Sequence, residues 1–561
     1  MTRAGQYLRA LLPARGDYQA VRRTWRGDLL AGLTVGIVAL PLALGFGIAS
    51  GAGAAAGLIT AIVAGVIAAV FGGSHVQVSG PTGAMVVVLA PIVAAHGVGA
   101  VAIVSVLAGI MVLIAGAARL GRAVSFIPWP VIEGFTLGIA VIIFLQQIPA
   151  LTGADVDGIL HSNVVVTALS SLAGADPRYL AWSLAAVAVV AACMSLLPLW
   201  HHAIPGSLVG IVIVTVLALI LPSPLAVIGG LPTGLPAPGL PTFSIDTLAR
   251  LLLPAVAVAA LAAIESLLSA RVAASLADTG PYDPDRELVG QGLASIGAGL
   301  FGGIPATGAI ARTAVNVRAG AKTRLAAIFH ALVLLLVVLV AAGPVGAIPL
   351  AALSGVLMVT AVRMVHLATA RSILRSTRAD AIAYLLTAVV TVSVDLIVAV
   401  VIGMAVAGIF AIRGLSRATG VHREPIDGPA EPGDDRIAVV RLDGPLFFAA
   451  ADRVLATVTS LHGVTVVILR MSHLELVDAT GAHVLSEIVQ QLERRGVTVL
   501  IKGVREGHVE LFRTVGVLSS LRHSKHLFAE LAPAVAHARS HIVRAPVPPA
   551  PDDDTGSAAR A

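Results

Sequence analysis

The sequence predicts an α-helical membrane protein of fourteen spans in two seven-span halves, followed by a small α/β domain. Three observations predict it. Of 561 residues, 57% are hydrophobic and 12% charged, whereas water-soluble domains carry about 25% charged residues. Apolar runs broken by short polar or Gly/Pro interruptions fill residues 27 to 415, the pattern of chain dissolved in lipid. After about residue 420, β-branched runs alternate with amphipathic stretches, as in an α/β domain.

Residues 1–26 form an Arg-rich N-terminal arm with no short apolar core, so no cleavable signal peptide is expected. Apolar runs then place spans near 27–50, 54–71, 77–95, 98–118, 127–148, 179–199, 204–221, 249–270, 287–303, 305–318, 324–342, 346–366, 379–394 and 395–414. Alternate loops are basic: Arg15, Arg22, Arg23 and Arg26; Arg119 and Arg122; Arg271; Arg318, Lys322 and Arg324; Arg363, Arg371, Arg375 and Arg378; Arg413 and Arg417. The opposite loops hold Asp155 and Asp157 or a Pro-rich run without a base. That bias predicts an even span number with both termini cytoplasmic. It also accounts for the net charge of +6 without a nucleic-acid partner. Cys193, the one cysteine, excludes an intramolecular disulfide framework.

Beyond the linker expected at 416–434, RIAVVRL, VTVVILRM and VTVLIKGV read as strands. ADRVLATVTSL, TGAHVLSEIVQQLERRG and EGHVELFRTVGV read as helices. The soluble domain is bounded at 435–544, and 545–561 lacks the apolar content to fold and is expected to be disordered.

Two spans depart from the pattern. FGGSHVQVSGPTGAM (71–85) and FGGIPATGAIARTAV (301–315) both begin with Phe-Gly-Gly, pass a Pro and a Thr-Gly, and become helix-like. Matched Gly/Pro breaks in two halves point to a transporter binding site. An extended segment leading into a helix at mid-membrane leaves the first N–H groups unpaired, with partial positive charge, facing a cavity. Two such ends suit an anion. Pro81 and Pro305 are expected at helix starts, where a missing N–H costs nothing. Glu265 lies deep in AVAVAALAAIESLLSARVA, where a carboxylate costs about 2.5–3.5 kcal/mol, so it faces a cavity or is protonated.

The chain resembles the sulfate permease, or SulP, family of anion transporters, relatives of the animal solute-carrier anion exchangers. The carrying stretches are GDLLAGLTVGIVALPLALGFGIASG (27–51), VQVSGPTGAM (76–85), FIPWPVIEGFTLGIAVII (126–143), AIESLLSARVA (263–273), residues 287–323 and IPLAALSGVLM (348–358). The C-terminal region looks like a STAS domain, with VDATG at 477–481 ahead of a helix. The resemblance implies a seven-plus-seven inverted repeat of the uracil-permease type. Spans 1–4 and 8–11 would form a core, spans 5–7 and 12–14 a gate, and core would move against gate as an elevator. It implies that Ser79, Gly80, Pro81, Thr82 and Gly83 line one side of an anion pocket and Ala306, Thr307, Gly308 and Ala309 the other. A homodimer in a bacterial plasma membrane is implied as well.

In sodium-coupled bicarbonate members of this family, an Asp followed four residues later by Thr helps to bind sodium. Here the pair is Glu265 and Ser269, which favours a proton over sodium as coupling ion and leaves anion exchange open. Arg312 matches a basic residue behind the anion site; the alternative is an internal pair with Glu265. Thr480 stands where anti-sigma-factor antagonists carry a phosphorylated serine, and reads either as a helix N-cap or as a regulatory site. The substrate range implied spans sulfate, bicarbonate, chloride, nitrate and dicarboxylates. A nucleobase permease of the same fold and a non-transporting sensor are the competing functions. No nucleophile–base constellation, P-loop or metal-ligand spacing is present, so neither an enzyme nor a cofactor or metal is expected.

Overall fold

Apolar chain in lipid must satisfy its own backbone hydrogen bonds, and helices do so locally. The computed structural model describes residues 7, 9–122, 127–153, 163–200, 204–241, 244–394 and 396–544. Asp155, Asp157 and the 545–561 tail lie outside them. The chain divides into two units, Met1–Ala407 and Gly408–Ala561.

The first half of the membrane unit runs α1 (Val21–Ala49), α2 (Ala54–Phe71), β1 (Ser79–Gly80), α3 (Gly83–His96) and α4 (Gly99–Ala117). It continues through α5 (Trp129–Gln146), α6 (Ile148–Thr152), α7 (Val164–Ala173), α8 (Pro177–Trp200) and α9 (Gly206–Ile220). The second half opens with the same order: α10 (Ile245–Leu276), α11 (Pro284–Leu300), β2 (Thr307–Gly308), α12 (Ile310–Arg318) and α13 (Arg324–Gly346). Then come α14 (Leu350–Met364), α15 (Leu367–Arg375), α16 (Arg378–Ser393) and α17 (Leu396–Ala418). Among the described residues, nine helices are long and apolar enough to cross a membrane.

Several helices were not expected, among them α6 and, in the membrane unit's loops, α7 and α15. The α7 helix starts at Asn163, whose side chain accepts from Val165 N. The α15 helix occupies what reads as a basic loop, because Arg371 and Arg375 fall within an amphipathic turn. Arg324, read as a loop cation, is instead buried at the first turn of α13 and donates to Ala69 O at 2.9 Å.

One group of helices packs α1, α2, α4 and α10–α13 together; α5, α8, α9, α14 and α16 pack in another. Close approach within the first group depends on glycine. A Cβ on Gly292 of α11 would lie 2.6 Å from Leu113 N, and one on Gly109 of α4 2.7 Å from Gly292 O. Small residues at helix crossings serve this purpose in membranes, where no hydrophobic drive holds helices together. The N-terminal arm is tied down. Asp17 meets Arg286 at 2.6 Å, and Arg119 stacks over Tyr7 at 4.1 Å from the ring centroid.

In the second unit, β3 (Gly420–Glu424), β4 (Ile437–Leu446), β5 (Val466–Arg470), β7 (Thr498–Lys502) and β8 (Leu527–Phe528) make one sheet in that order, with β6 (Leu474–Val477) also on β4. The β3–β4 pair is antiparallel and the rest parallel. The expected linker therefore already contains the edge strand. Strand alternation sorts side chains to two faces. Ala438, Val440, Val467 and Ile501 pack in the core shared with α18 (Phe448–Thr459), α19 (Ala479–Arg494) and α20 (Glu506–Val515). Ile437, Val439, Ile468 and Leu500 pack with Ala534, Ala538 and Ile542 of α21 (Leu531–Arg544). The N-cap of α19 is Asp478, accepting from Gly481 N at 2.7 Å. Thr480 is exposed within the first turn and does not cap it.

Candidate functional site

The two broken segments meet. β1 and β2 pair antiparallel, Ser79 opposite Gly308 and Gly80 opposite Thr307. Gly80 has φ +153°, and a Cβ there would stand 2.8 Å from Arg312 Nη1, so only glycine fits this crossing. Each short strand then turns into a helix. The first helical bonds are Val86 N to Thr82 O at 3.2 Å and Thr313 N to Ala309 O at 2.8 Å. The N–H groups of Gly83, Ala84 and Met85, and of Ile310, Ala311 and Arg312, therefore precede any intrahelical partner. Neither start has a side-chain cap. Both ends carry the positive pole of a helix dipole.

The prolines sit earlier than expected. Pro81 follows β1 and stands two residues before α3, whereas Pro305 is two residues before β2, which intervenes between it and α12. Arg312 lies in the first turn of α12.

Side chains from α10 complete the arrangement. Thr82 donates to Glu265 Oε2 at 2.7 Å. Ser266 Oγ accepts from Gly308 N at 3.0 Å and lies 3.1 Å from Thr307 Oγ1. Arg312 is buried; its Nη2 donates to Pro81 O, while its Nη1 has no partner. No ion pair within 4 Å joins Arg312 to Glu265 among the described residues; the two charges act on each other at longer range. Ser269 is directed to Thr313 Oγ1 at 3.2 Å rather than to Glu265. Ala306 is turned away: its N–H bonds Ser295 Oγ at 3.2 Å, and it packs among Ala64, Ala294 and Ala298. Ala309 N is spent on Val78 O at 2.9 Å.

A polar row on α11 escaped the sequence reading. Glu287, Gln291 and Ser295 recur every four residues on a helix that after Arg286 is otherwise Gly, Ala, Leu, Val and Ile, which puts them on one face. Gln291 donates to Ser79 Oγ at 2.5 Å and to Glu287 Oε1 at 2.9 Å. Glu287 Oε2 accepts from Gly73 N at 2.9 Å and Ser74 N at 3.1 Å. Asn316 donates to Val76 O at 2.8 Å. The Gln77 amide is buried with neither polar atom paired, and its Nε2 would lie 1.9 Å from a Cβ on Gly308. The period of four was the available signal. An apolar cavity elsewhere, lined by Leu58, Ile62, Leu235 and Val338, includes none of these groups.

Similarity to known proteins agrees with this layout. Residues 25–387 match the sulfate permease family and residues 429–534 the STAS domain. The chain is 34% identical over 514 residues to "Putative sulfate transporter YvdB" of Bacillus subtilis (strain 168), covering 89% of this chain and 95% of that protein. It is 32% identical over 505 residues to "Bicarbonate transporter BicA" of Synechocystis sp. (strain ATCC 27184 / PCC 6803 / Kazusa), covering 86% and 88%. The structure of SLC26A9 superposes with a TM-score of 0.82 at 18% identity, over 96% of this chain and 95% of that one, and so shares the fold. The chain belongs to the sulfate permease family and carries a C-terminal STAS domain.

Proposed function

We propose that the protein is a secondary active transporter that carries a small oxyanion between the uncapped starts of α3 and α12. The observation that carries this reading is the pair of uncapped helix starts that follow the β1–β2 pairing, beside a buried guanidinium with one unpartnered nitrogen. Backbone donors and a positive pole recognise negative charge without a full counter-ion, so the anion enters without being held too tightly to leave. The relatives' names, sulfate for one and bicarbonate for another, support an oxyanion over a nucleobase.

Glu265 is the coupling group in this reading. Its carboxyl receives the Thr82 hydroxyl at the N-cap of α3, and no cation lies within 4 Å among the described residues. A carboxyl so placed at membrane depth crosses more readily with a proton than as a bare charge. Thr82 joins it directly to the helix start that would hold the anion. Movement is of the elevator type, the group containing α1, α2, α4 and α10–α13 sliding against that of α5, α8, α9, α14 and α16, in a homodimer with both termini cytoplasmic in the plasma membrane.

Proteoliposomes with labelled sulfate, bicarbonate or fumarate, run with and without pH and sodium gradients, test the proposal. We expect one of these anions to accumulate down an inward proton gradient. Glu265→Gln, similar in shape, should abolish that response while the protein stays folded. Accumulation driven by sodium alone, or a variant that follows the pH gradient like the parent, overturns the coupling assignment.

A further inference from the structure

Outside everything assigned above, three imidazoles meet in the soluble unit. His537 and His541 stand one turn apart on α21, and His526 comes from the turn just before β8. One ligating nitrogen from each lies within 4.8 Å of the others. His526 is 1% exposed, and its Nδ1 has no hydrogen-bond partner. A buried ring nitrogen left this way forfeits its bond to water.

Ring packing does not account for the arrangement. The rings lie edge-on at centroid distances of 4.9 to 5.5 Å, which fills space but leaves the His526 lone pair unused. A shared metal uses it. The Nε2 atoms of His537 and His541 are 3.3 Å apart. Two nitrogens bound at about 2.0–2.1 Å to a tetrahedral ion are separated by about 3.3–3.4 Å. Histidines at i and i+4 on one helix face are a recurrent zinc-binding pair. A donor set of three imidazoles suits zinc, copper, iron or nickel and not magnesium or calcium.

Neutral rings are the ligating form. The neighbouring Arg522 pairs with Glu493 at 3.1 Å, which offsets part of its repulsion of a cation. A fourth position falls to water or to His523, whose ring centroid is 5.4 Å from that of His526.

We infer that His526, His537 and His541 form a binding site for a divalent transition-metal ion, with zinc as the probe. The site joins the last helix of the soluble unit to the turn before its last strand.

Tag-free, full-length protein in detergent, stripped with a chelator and titrated with zinc chloride in a calorimeter, tests the inference. The parent should take up one high-affinity equivalent per chain, and zinc should raise its melting temperature by mass action. Cobalt should give the intense visible absorption of a tetrahedral site. The His537→Ala/His541→Ala pair and His526→Gln should each lose the equivalent and the thermal shift. If a variant fails to fold, parent stoichiometry and the cobalt spectrum still decide. No saturable equivalent in the parent overturns the inference, as does an equivalent that survives in both variants.

Discussion

Two helix starts, one in each unit, are finished in opposite ways. In the soluble unit, α19 is closed by Asp478, whose carboxylate accepts from Gly481 N at 2.7 Å. In the membrane unit, α3 begins behind Thr82, also a capping residue type, yet Thr82 spends its hydroxyl on Glu265. Other starts in the same unit are closed: Asn163, Ser244, Asp283, Thr323 and Thr377 all accept from their own first turns. Among described helices with Ser, Thr, Asp or Asn at the N-cap, Thr82 alone leaves its helix uncapped. Its counterpart α12 begins at Ala309, which has nothing to cap with. Starts whose N-cap residue has no suitable side chain, such as Ala20, Gly53, Val98 and Phe447, are open as well; what sets α3 apart is a capping residue whose hydroxyl is spent elsewhere. An uncapped start forgoes about 1 kcal/mol.

The largest effect should come from closing the open end. Ala309→Asp puts a carboxylate at the N-cap of α12, where it would accept from the free N–H groups and fill the place proposed for the anion. Two unit charges about 4 Å apart at an effective dielectric near 20 repel by about 4 kcal/mol. Uptake in proteoliposomes should fall by roughly 100-fold or more, with the elution profile on gel filtration unchanged. Uptake within threefold of the parent would show that the free donors of α12 do not bind the substrate.

A closed start doing a second task gives the next effect. Asp283 caps α11, accepting from Asp285 N and Arg286 N at 3.0 and 3.1 Å, and Arg286 in the same turn clamps the N-terminal arm through Asp17. Burial alone would raise the Asp17 carboxyl. The Arg286 hydrogen bond and the Ala14 backbone N–H outweigh it and hold the group at about 2, below its ordinary 3.8. With the folded value below the unfolded one, the stabilisation is complete above the ordinary value and is lost as pH falls towards about 2. Asp17→Asn leaves Arg286 without its charge partner and should cost about 3 kcal/mol, read as a lower melting temperature in detergent. The parent's melting temperature should converge on the variant's as the buffer is acidified through that window. A variant as stable as the parent at neutral pH would mean that the arm contributes nothing to the fold.

What was legible in the sequence follows from the same physics. The broken segments announced themselves because Gly and Pro interrupt the continuous helix that lipid otherwise demands, and Glu265 because a carboxyl there is costly. The strand pairing of Ser79–Gly80 with Thr307–Gly308 was not legible, since two residues carry no period. Nor was the partner of Arg312, a backbone carbonyl that any residue could offer. The row of Glu287, Gln291 and Ser295 was in plain view as a period of four, but hidden by the glycines that share the helix. His537 and His541 showed the same period. Their third neighbour, His526, joins them only through the turn before β8, which spacing along the chain does not encode.

The smallest effect separates the two readings of the soluble helix start. Asp478 also accepts from Phe448 N at 3.2 Å, so it ties the start of α18 to that of α19. Asp478→Ala should destabilise the soluble unit by about 1 kcal/mol, the ordinary worth of an N-cap. Thr480 is exposed and makes no cap, so Thr480→Ala should leave stability within about 0.5 kcal/mol of the parent. Its hydroxyl stands free for modification, and a phosphate there would sit on the positive pole of α19. Intact-mass analysis of the protein from its native cells then decides between a silent side chain and a regulated one. A phospho-form lost in Thr480→Ala assigns the switch to this residue, and its absence leaves the start of α19 purely structural.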